Sequence, residues 1–160
     1  MRSFEGFVFA GILALAGSSA LAAPLLTQPA DERATQKLLP TSKAPLWAVL
    51  RRTRIGEDDR RGVFTAAFPP EVKALDGHAV TLSGFMLPLD AAPASTHFLL
   101  SKYTPVCFFC PPGQPNEVVE VTTRRGVPVT DRMLTVTGRF ALEAKADKGL
   151  FFQVDQALVR

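Results

Sequence analysis

Apolar and polar residues alternate along five stretches in the second half of the chain. The alternation is clearest from Leu134 to Leu142, where Val136, Gly138 and Phe140 lie on the same face as the two ends. A period of two is typical of a strand with one buried face. The pattern predicts strands over residues 78–87, 96–102, 117–123, 134–142 and 152–158.

Glycine-containing turns separate these strands, and no helical periodicity lies between them. The turn residues are Asp76-Gly77, Arg125-Gly126 and Lys148-Gly149. Gly84 and Gly138 lie inside two strands, where glycine permits the sharp bend of a small barrel. The sequence therefore predicts an all-β fold with a small α-helical part on its N-terminal side. The expected architecture is a five-stranded antiparallel β-barrel that is OB-like, that is, of the oligonucleotide/oligosaccharide-binding type.

The chain before the first strand is predicted to contribute one short helix. Pro45 suits a first helical turn, and Trp47 and Leu50 are spaced so that they share one face. Residues 51–62 are charged and are expected to form a loop. Residues 64–70 are expected to form an extended segment that leads into the core.

The N-terminal residues have the features of a cleaved secretory signal. An apolar run from Phe7 to Ala16 is too short to span a bilayer comfortably, and Ala20-Leu21-Ala22 resembles a cleavage site. We therefore expect a signal peptide at residues 1–22, a flexible leader at 23–44 and the barrel domain at 45–160. The mature protein would be periplasmic.

The positive charge does not indicate a nucleic-acid partner. The formal net charge is +3, and the arginines between Arg51 and Arg61 are interspersed with Glu57, Asp58 and Asp59. Mixed runs of this kind are usually solvated surface. The balance of charges predicts a soluble, mildly basic protein.

The two cysteines, Cys107 and Cys110, have Cys-x-x-Cys spacing within the segment YTPVCFFCPPGQPN. That spacing occurs in redox-active dithiols, in metal sites and in small disulfides. The prolines that follow, Pro111, Pro112 and Pro115, oppose the helix that lowers the thiol pKa in thioredoxin-type enzymes. A thiol–disulfide oxidoreductase is therefore kept as an alternative interpretation of the cysteine pair.

A metal site is the second interpretation of the cysteine pair. Two thiolates from one turn can chelate zinc, which takes four ligands or three and a water. His97 is the best third ligand, because its strand leads directly into the cysteine segment. The other donors are His78 and carboxylates such as those of Asp90 and Glu117.

A disulfide is the third interpretation, and an oxidising periplasm favours it. So short a loop constrains few unfolded conformations, and its closure stabilises the fold by only about 2 kcal/mol in the chain-entropy model. These interpretations overlap, since an easily reduced disulfide can become a ligand pair.

The sequence offers little catalytic machinery beside the cysteines. It has no Gly-x-Ser-x-Gly elbow and no glycine-rich phosphate loop. Glu117 and Glu120 fall on opposite faces of a strand, so they are expected to be edge charges that limit aggregation, not an acid–base pair. We expect a protein that is not an enzyme.

One run of the chain resembles a known family. Residues 75–89, LDGHAVTLSGFMLPL, resemble the signature L-x-G-x-x-V-x-x-x-G-[FY]-M-x-P-L of an exported bacterial family of unknown function. Trp47 with Leu50, the run Phe98-Leu99-Leu100, the cysteine segment and Pro115-Asn116 fit the same pattern. The resemblance extends over about residues 45–158.

The resemblance implies a periplasmic accessory to metal handling or envelope transport, often encoded beside ABC-type permeases, some of them under zinc control. Many members carry Cys-x-His before a proline run. The family's cysteine corresponds to Cys107 and its histidine to Phe109, so this chain departs from the pattern and offers Cys110 instead.

The leading hypothesis is a non-enzymatic periplasmic accessory of a membrane transporter, with Cys107, Cys110 and His97 as zinc ligands. The alternatives are a thiol–disulfide redox protein and a purely structural binding module with a loop disulfide.

Overall fold

The computed structural model describes residues 30–58, 63–107, 112–146 and 148–160. The expected signal peptide lies outside these residues. No helix in the described part of the chain is long and apolar enough to cross a membrane.

The described chain is mostly strand, with a few short helices. The helices are α1 (Ala30–Gln36), α2 (Leu46–Leu50) and α3 (Pro70–Lys73), and a 3-10 turn covers Pro115–Glu117. The strands are β1 (Arg54–Asp58), β2 (Val63–Ala67), β3 (Ala79–Pro88), β4 (Ala94–Ser101), β5 (Val118–Pro128), β6 (Met133–Leu142), β7 (Lys145–Ala146) and β8 (Phe152–Val159).

Five of the described strands close into a barrel, in the order β3-β4-β5-β8-β6 and back to β3. The predicted fold class is confirmed, and the five predicted strands correspond to these five. One detail of the prediction was wrong, because the barrel is mixed and not fully antiparallel. The last strand, β8, inserts between β5 and β6 and pairs antiparallel with β6, so it runs parallel to β5.

Two glycines lie where barrel strands approach too closely for a side chain. Strand β3 pairs with β6 as far as Phe85 and with β4 from Phe85 onward, so Gly84 lies next to the change of partner. A Cβ atom there would lie 2.5 Å from the Ser101 carbonyl oxygen, and one at Gly138 would lie 2.6 Å from that of Asp155. Both glycines are therefore required for barrel closure, in line with their predicted role.

The barrel core is built from the apolar faces of these strands. Phe98, Val121, Val136 and Phe140 are fully buried, and the Phe140 ring stacks on Phe152 with centroids 5.8 Å apart. The predicted helix α2 packs on this core and contributes buried Trp47 and Leu50. The Trp47 indole N–H also donates to the Ser83 carbonyl oxygen, which lies 2.8 Å away.

The charged stretch 51–62, expected to be a loop, contains strand β1. This strand pairs antiparallel with β2, and β2 pairs in turn with β7. The charged side chains of β1 face outward while Ile55 packs against the core. Only one apolar residue in the strand faces inward, so the alternation was too short to be recognised.

The turn predicted at Arg125-Gly126 was also wrong. Strand β5 continues through these residues to Pro128, because Val127 and Pro128 pair with Ser95 and Ala94 of β4. The reversal comes afterwards, between β5 and β6.

The segment 23–44, expected to be a flexible leader, is described from residue 30 onward. It contains α1, and Thr41 forms a β-bridge with Tyr103. The Ser42 hydroxyl donates to the Ser83 carbonyl oxygen, which lies 2.6 Å away. Polar side chains of this segment bind backbone groups of the barrel, and this accounts for its fixed position.

Candidate functional site

The cysteines lie in the connection between β4 and β5, residues 102–117, which we call the cysteine loop. Cys107 is half-buried and disulfide-bonded. The other cysteine of the chain, Cys110, lies outside the described residues. The bonded state of Cys107 is the one that an oxidising compartment favours.

Gln36 of α1 joins the two arms of the cysteine loop. Its side-chain amide donates to the Thr104 carbonyl oxygen at 3.0 Å and to the Pro112 carbonyl oxygen at 2.9 Å. The Ser101 hydroxyl donates to the same Pro112 oxygen at 3.0 Å. Gln36 is only 2% exposed, so water does not compete strongly for these bonds. Both described arms of the loop are thus bonded to Gln36.

Glu117 holds the far end of the loop and is 2% exposed. One carboxylate oxygen accepts from the Gln114 backbone N–H at 3.0 Å, and the other from the Tyr103 hydroxyl at 3.3 Å. The Arg51 Nε atom lies 3.3 Å from the carboxylate, and a guanidinium nitrogen of Arg33 lies 3.8 Å from it. The buried charge is therefore compensated by α1, by the residue after α2 and by the loop itself.

Two neighbours of Glu117 have shifted pKa values. Burial, followed by the nearby negative charge of Glu117, raises the pKa of the Tyr103 phenol. Burial, followed by the positive charge of Arg51, lowers the pKa of Lys102 although Glu117 opposes that change. The Lys102 ammonium lies 4.2 Å from the centre of the Tyr103 ring. These residues form one polar cluster at the two ends of the cysteine loop.

A cleft of about 450 Å³ lies in front of the loop, and we call it the loop-side cleft. Its walls are the end of β3, the loop arm that carries Cys107, and the turn between β5 and β6. Its lining is largely apolar and includes two threonines and one aspartate: Phe85, Met86, Leu87, Pro88, Thr104, Pro105, Val106, Cys107, Val129, Thr130 and Asp131. Such a cleft has the size and chemistry of a binding site for a small ligand or a short peptide segment.

His97, the predicted third metal ligand, is engaged elsewhere. Its Nε2 atom lies 2.7 Å from a carboxylate oxygen of Glu120 on β5. Among the described residues, no three His, Cys, Asp or Glu side chains are placed to hold a metal ion. The set of Cys107, Cys110 and His97 stays a prediction, since Cys110 lies outside the described chain.

Sequence reasoning missed Gln36 and misjudged Glu117. Glu117 was expected to be an edge charge, but it is buried because arginines from two other elements surround it. No spacing within the strand indicates those distant partners. The Gln114–Glu117 pairing around a proline turn is the one local signal that would have indicated a fixed carboxylate.

Comparison with known proteins gives one family and one solved structure. The family described as "Protein of unknown function (DUF3299)" matches residues 27–152. A crystal structure of a DUF3299 family protein from Pseudomonas aeruginosa is 28% identical in sequence, with 75% of this chain and 81% of that chain covered and a TM-score of 0.46. No curated protein matches the chain.

Proposed function

Because the chain belongs to the DUF3299 family, whose function is unknown, we propose a function from the geometry of its own residues. The protein is a non-enzymatic binding protein of the bacterial periplasm and an accessory of an ABC-type membrane transporter or another envelope protein. Its ligand site is the loop-side cleft. The observation that carries the proposal is that disulfide-bonded Cys107 lines an apolar cleft whose loop is held from behind.

The support for binding is the fixed shape of the cleft. Gln36 and Glu117 hold the cysteine loop through buried contacts, and Cys107 is held in a disulfide. A binding loop that is ordered before it meets its ligand loses less conformational entropy on binding. The disulfide therefore serves to keep one wall of the site in place.

The support for a ligand class is the lining of the cleft. Val106, Pro105 and Val129 offer apolar surface, whereas Thr130 and Asp131 offer polar groups on one side. This combination suits an apolar side chain of an extended peptide segment, with the polar groups binding the adjacent backbone. A segment of an envelope protein is the ligand that we propose.

A non-catalytic role fits the chemistry of the same lining. Of the described residues around the cleft, Asp131 is the one carboxylate, and the Cys107 sulfur is held in a disulfide. General acid–base catalysis usually needs a positioned partner for such a carboxylate.

The metal-binding form of the proposal concerns the reduced protein. In the described chain Cys107 is disulfide-bonded and His97 is bound to Glu120, so these residues do not form a zinc site as placed. Reduction would free the thiolates of Cys107 and Cys110, and His97 would have to leave Glu120. Equilibrium dialysis of the fully reduced protein against zinc or copper tests this form, which is wrong if neither metal binds.

The binding proposal is tested by placing a charge in the cleft. Val129 lines the cleft and is 38% exposed, so aspartate is accommodated there without loss of the fold. Leu38→Asp is the matched control, because Leu38 is 86% exposed and lies outside the cleft. Cross-linking in cells that export the tagged protein, followed by mass spectrometry, measures which envelope proteins are captured.

We expect one envelope partner to be captured equally by the wild type and by Leu38→Asp. Its capture by Val129→Asp should fall by about tenfold or more, because binding an apolar group there would desolvate the new carboxylate. Equal capture by both variants would contradict the proposed site. Insulin-reductase activity of the purified protein would contradict the non-enzymatic role.

A further inference from the structure

The parallel pair that closes the barrel opens at one end. Strands β5 and β8 pair at Glu120–Gln153, at Val121–Val154 and finally at Thr123–Ala157. Beyond that point β5 pairs with β4, and β8 pairs with β6. The two strands therefore diverge and leave a groove of about 1000 Å³ between residues 123–128 and 156–160, which we call the splay groove.

Gln156 marks the start of the divergence. It is the extra residue of a bulge in β8, and its φ of 51° is in the left-handed region, which non-glycine residues rarely adopt. Its side-chain oxygen accepts from a guanidinium nitrogen of Arg124 at 2.6 Å. Strained backbone of this kind is often found at binding sites. Here it places the Gln156 side chain, which binds and orients Arg124 at the groove.

The groove is strongly cationic. Arg124, Arg125 and Arg160 line it. Within residues 30–58, 63–107, 112–146 and 148–160, none of the three forms an ion pair with a carboxylate. The carboxylate of Asp155 accepts from the Thr122 hydroxyl at 2.8 Å, and Asp131 lines the loop-side cleft instead.

Apolar side chains lie beside these arginines. Leu158 is 71% exposed and lines the groove, whose apolar residues also include Leu134 and Val159. Guanidinium groups bind phosphate through paired hydrogen bonds. An exposed leucine beside them favours a ligand that has an apolar part next to its anionic group. An anionic lipid at a membrane surface has both properties.

We propose that the splay groove binds the phosphate of an anionic lipid headgroup, with Leu158 entering the apolar boundary of the membrane. The site does not include Cys107, although Thr130 lines both the splay groove and the loop-side cleft, and the inference holds whether or not the proposed function is correct. It would bring the protein to a membrane surface as a peripheral protein. The attraction is electrostatic, so it should weaken as salt is added.

The test measures partition of the purified protein onto vesicles by flotation at low salt. One set of vesicles contains phosphatidylglycerol in phosphatidylcholine, and the other contains phosphatidylcholine alone. The test variant is Arg124→Ala/Arg125→Ala. The matched control is Arg54→Ala/Lys73→Ala, which removes the same charge from exposed residues outside the groove.

We expect binding to the anionic vesicles only. The test variant should lose about 25-fold in partition coefficient, since each basic residue near an anionic surface contributes roughly fivefold. The control should change less than about threefold, and Leu158→Ser should weaken binding with the arginines in place. Arg124→Lys/Arg125→Lys, which keeps the charge, should recover part of the loss and excludes misfolding as its cause.

Three results would overturn the proposal. The first is equal binding to both kinds of vesicle, and the second is an equal loss in the test and control variants. The third is binding of soluble glycerol phosphate at the groove, detected by chemical-shift changes at residues 124–126, without any binding to vesicles. That result would assign the groove to a soluble phosphate ester.

Discussion

At the scale of single residues, Glu117 determines the properties of the site. It is a buried carboxylate that contacts two arginines, a phenol and a backbone N–H. Its partners come from α1, from the residue after α2 and from the cysteine loop. A substitution at Glu117 should therefore affect the whole cluster.

We expect Glu117→Gln to lower the free energy of unfolding by about 2 kcal/mol, because it removes a buried negative charge that contacts Arg33 and Arg51. Chemical denaturation measures the change. Glu120→Gln is the control, since Glu120 pairs with His97 at a more exposed position and should cost about 0.5 kcal/mol or less. Equal losses for the two variants would show that burial of Glu117 does not matter.

Tyr103 reports on the same cluster by spectroscopy, because it is the one tyrosine of the chain. Burial and Glu117 raise the pKa of its phenol. Titration of tyrosinate absorbance should therefore give a pKa above the usual value of about 10 in the folded protein, and about 10 in denaturant. Glu117→Gln should lower the folded value but not abolish the shift, since burial is its larger cause.

The raised pKa of Tyr103 also makes the free energy of unfolding depend on pH. The folded protein retains the phenol proton to higher pH than the unfolded chain, so this group makes the protein less stable as pH rises above about 10. Lys102 has the opposite effect. Its pKa is lowered in the folded protein, so this group makes the protein more stable as pH rises toward the usual pKa of about 10.4. The direct titration of Tyr103 is for that reason the better measurement.

At the scale of elements, the bend of β3 depends on Gly84. A Cβ at this position would lie 2.5 Å from the Ser101 carbonyl oxygen and 2.9 Å from a side-chain carbon of Leu100. We expect Gly84→Ala to cost about 3 kcal/mol, since the obstacle is a backbone atom of the neighbouring strand. Gly126→Ala in exposed β5 meets only a Cβ atom at 3.3 Å and should cost less than about 1 kcal/mol. A similar cost for the two variants in thermal unfolding would contradict this role of Gly84.

Helix α1 should act as the support of the cysteine loop. We expect Gln36→Ala to cost about 1–2 kcal/mol, because it leaves the Thr104 and Pro112 carbonyl groups without a donor from α1. Hydrogen exchange around residues 103–106 and 112–114 should become faster. Thr35→Ala, one residue earlier and exposed, is the control. Unchanged exchange in Gln36→Ala would mean that α1 does not hold the loop.

The elements differ in how far sequence could predict them. The strands of the barrel alternate over seven residues or more, so their pattern predicted them. Helix α1 has seven residues and buries one polar side chain, Gln36, and therefore carries no apolar period. The position of α1 depends on partners far along the chain, which no local pattern indicates.

At the scale of the whole molecule, the barrel carries two surfaces that differ in chemistry and adjoin at Thr130, which lines both. The end of β3 and the loop after β4 form walls of the apolar cleft that Cys107 lines. The divergence of β5 and β8 forms the cationic groove. The resemblance seen in residues 75–89 is confirmed by the family match. The five barrel strands and the cysteine pair were accessible from the sequence, but the insertion of β8 between β5 and β6 and the cleft were not, because both depend on segments far apart along the chain.

The most direct measurement is thiol counting combined with metal analysis on protein isolated, without a reductant, from the periplasm in which we propose that it resides. We expect no reactive thiol before reduction, two after reduction, and no stoichiometric metal, because Cys107 is disulfide-bonded and the chain has two cysteines. Two reactive thiols together with one zinc or copper ion per chain would contradict it.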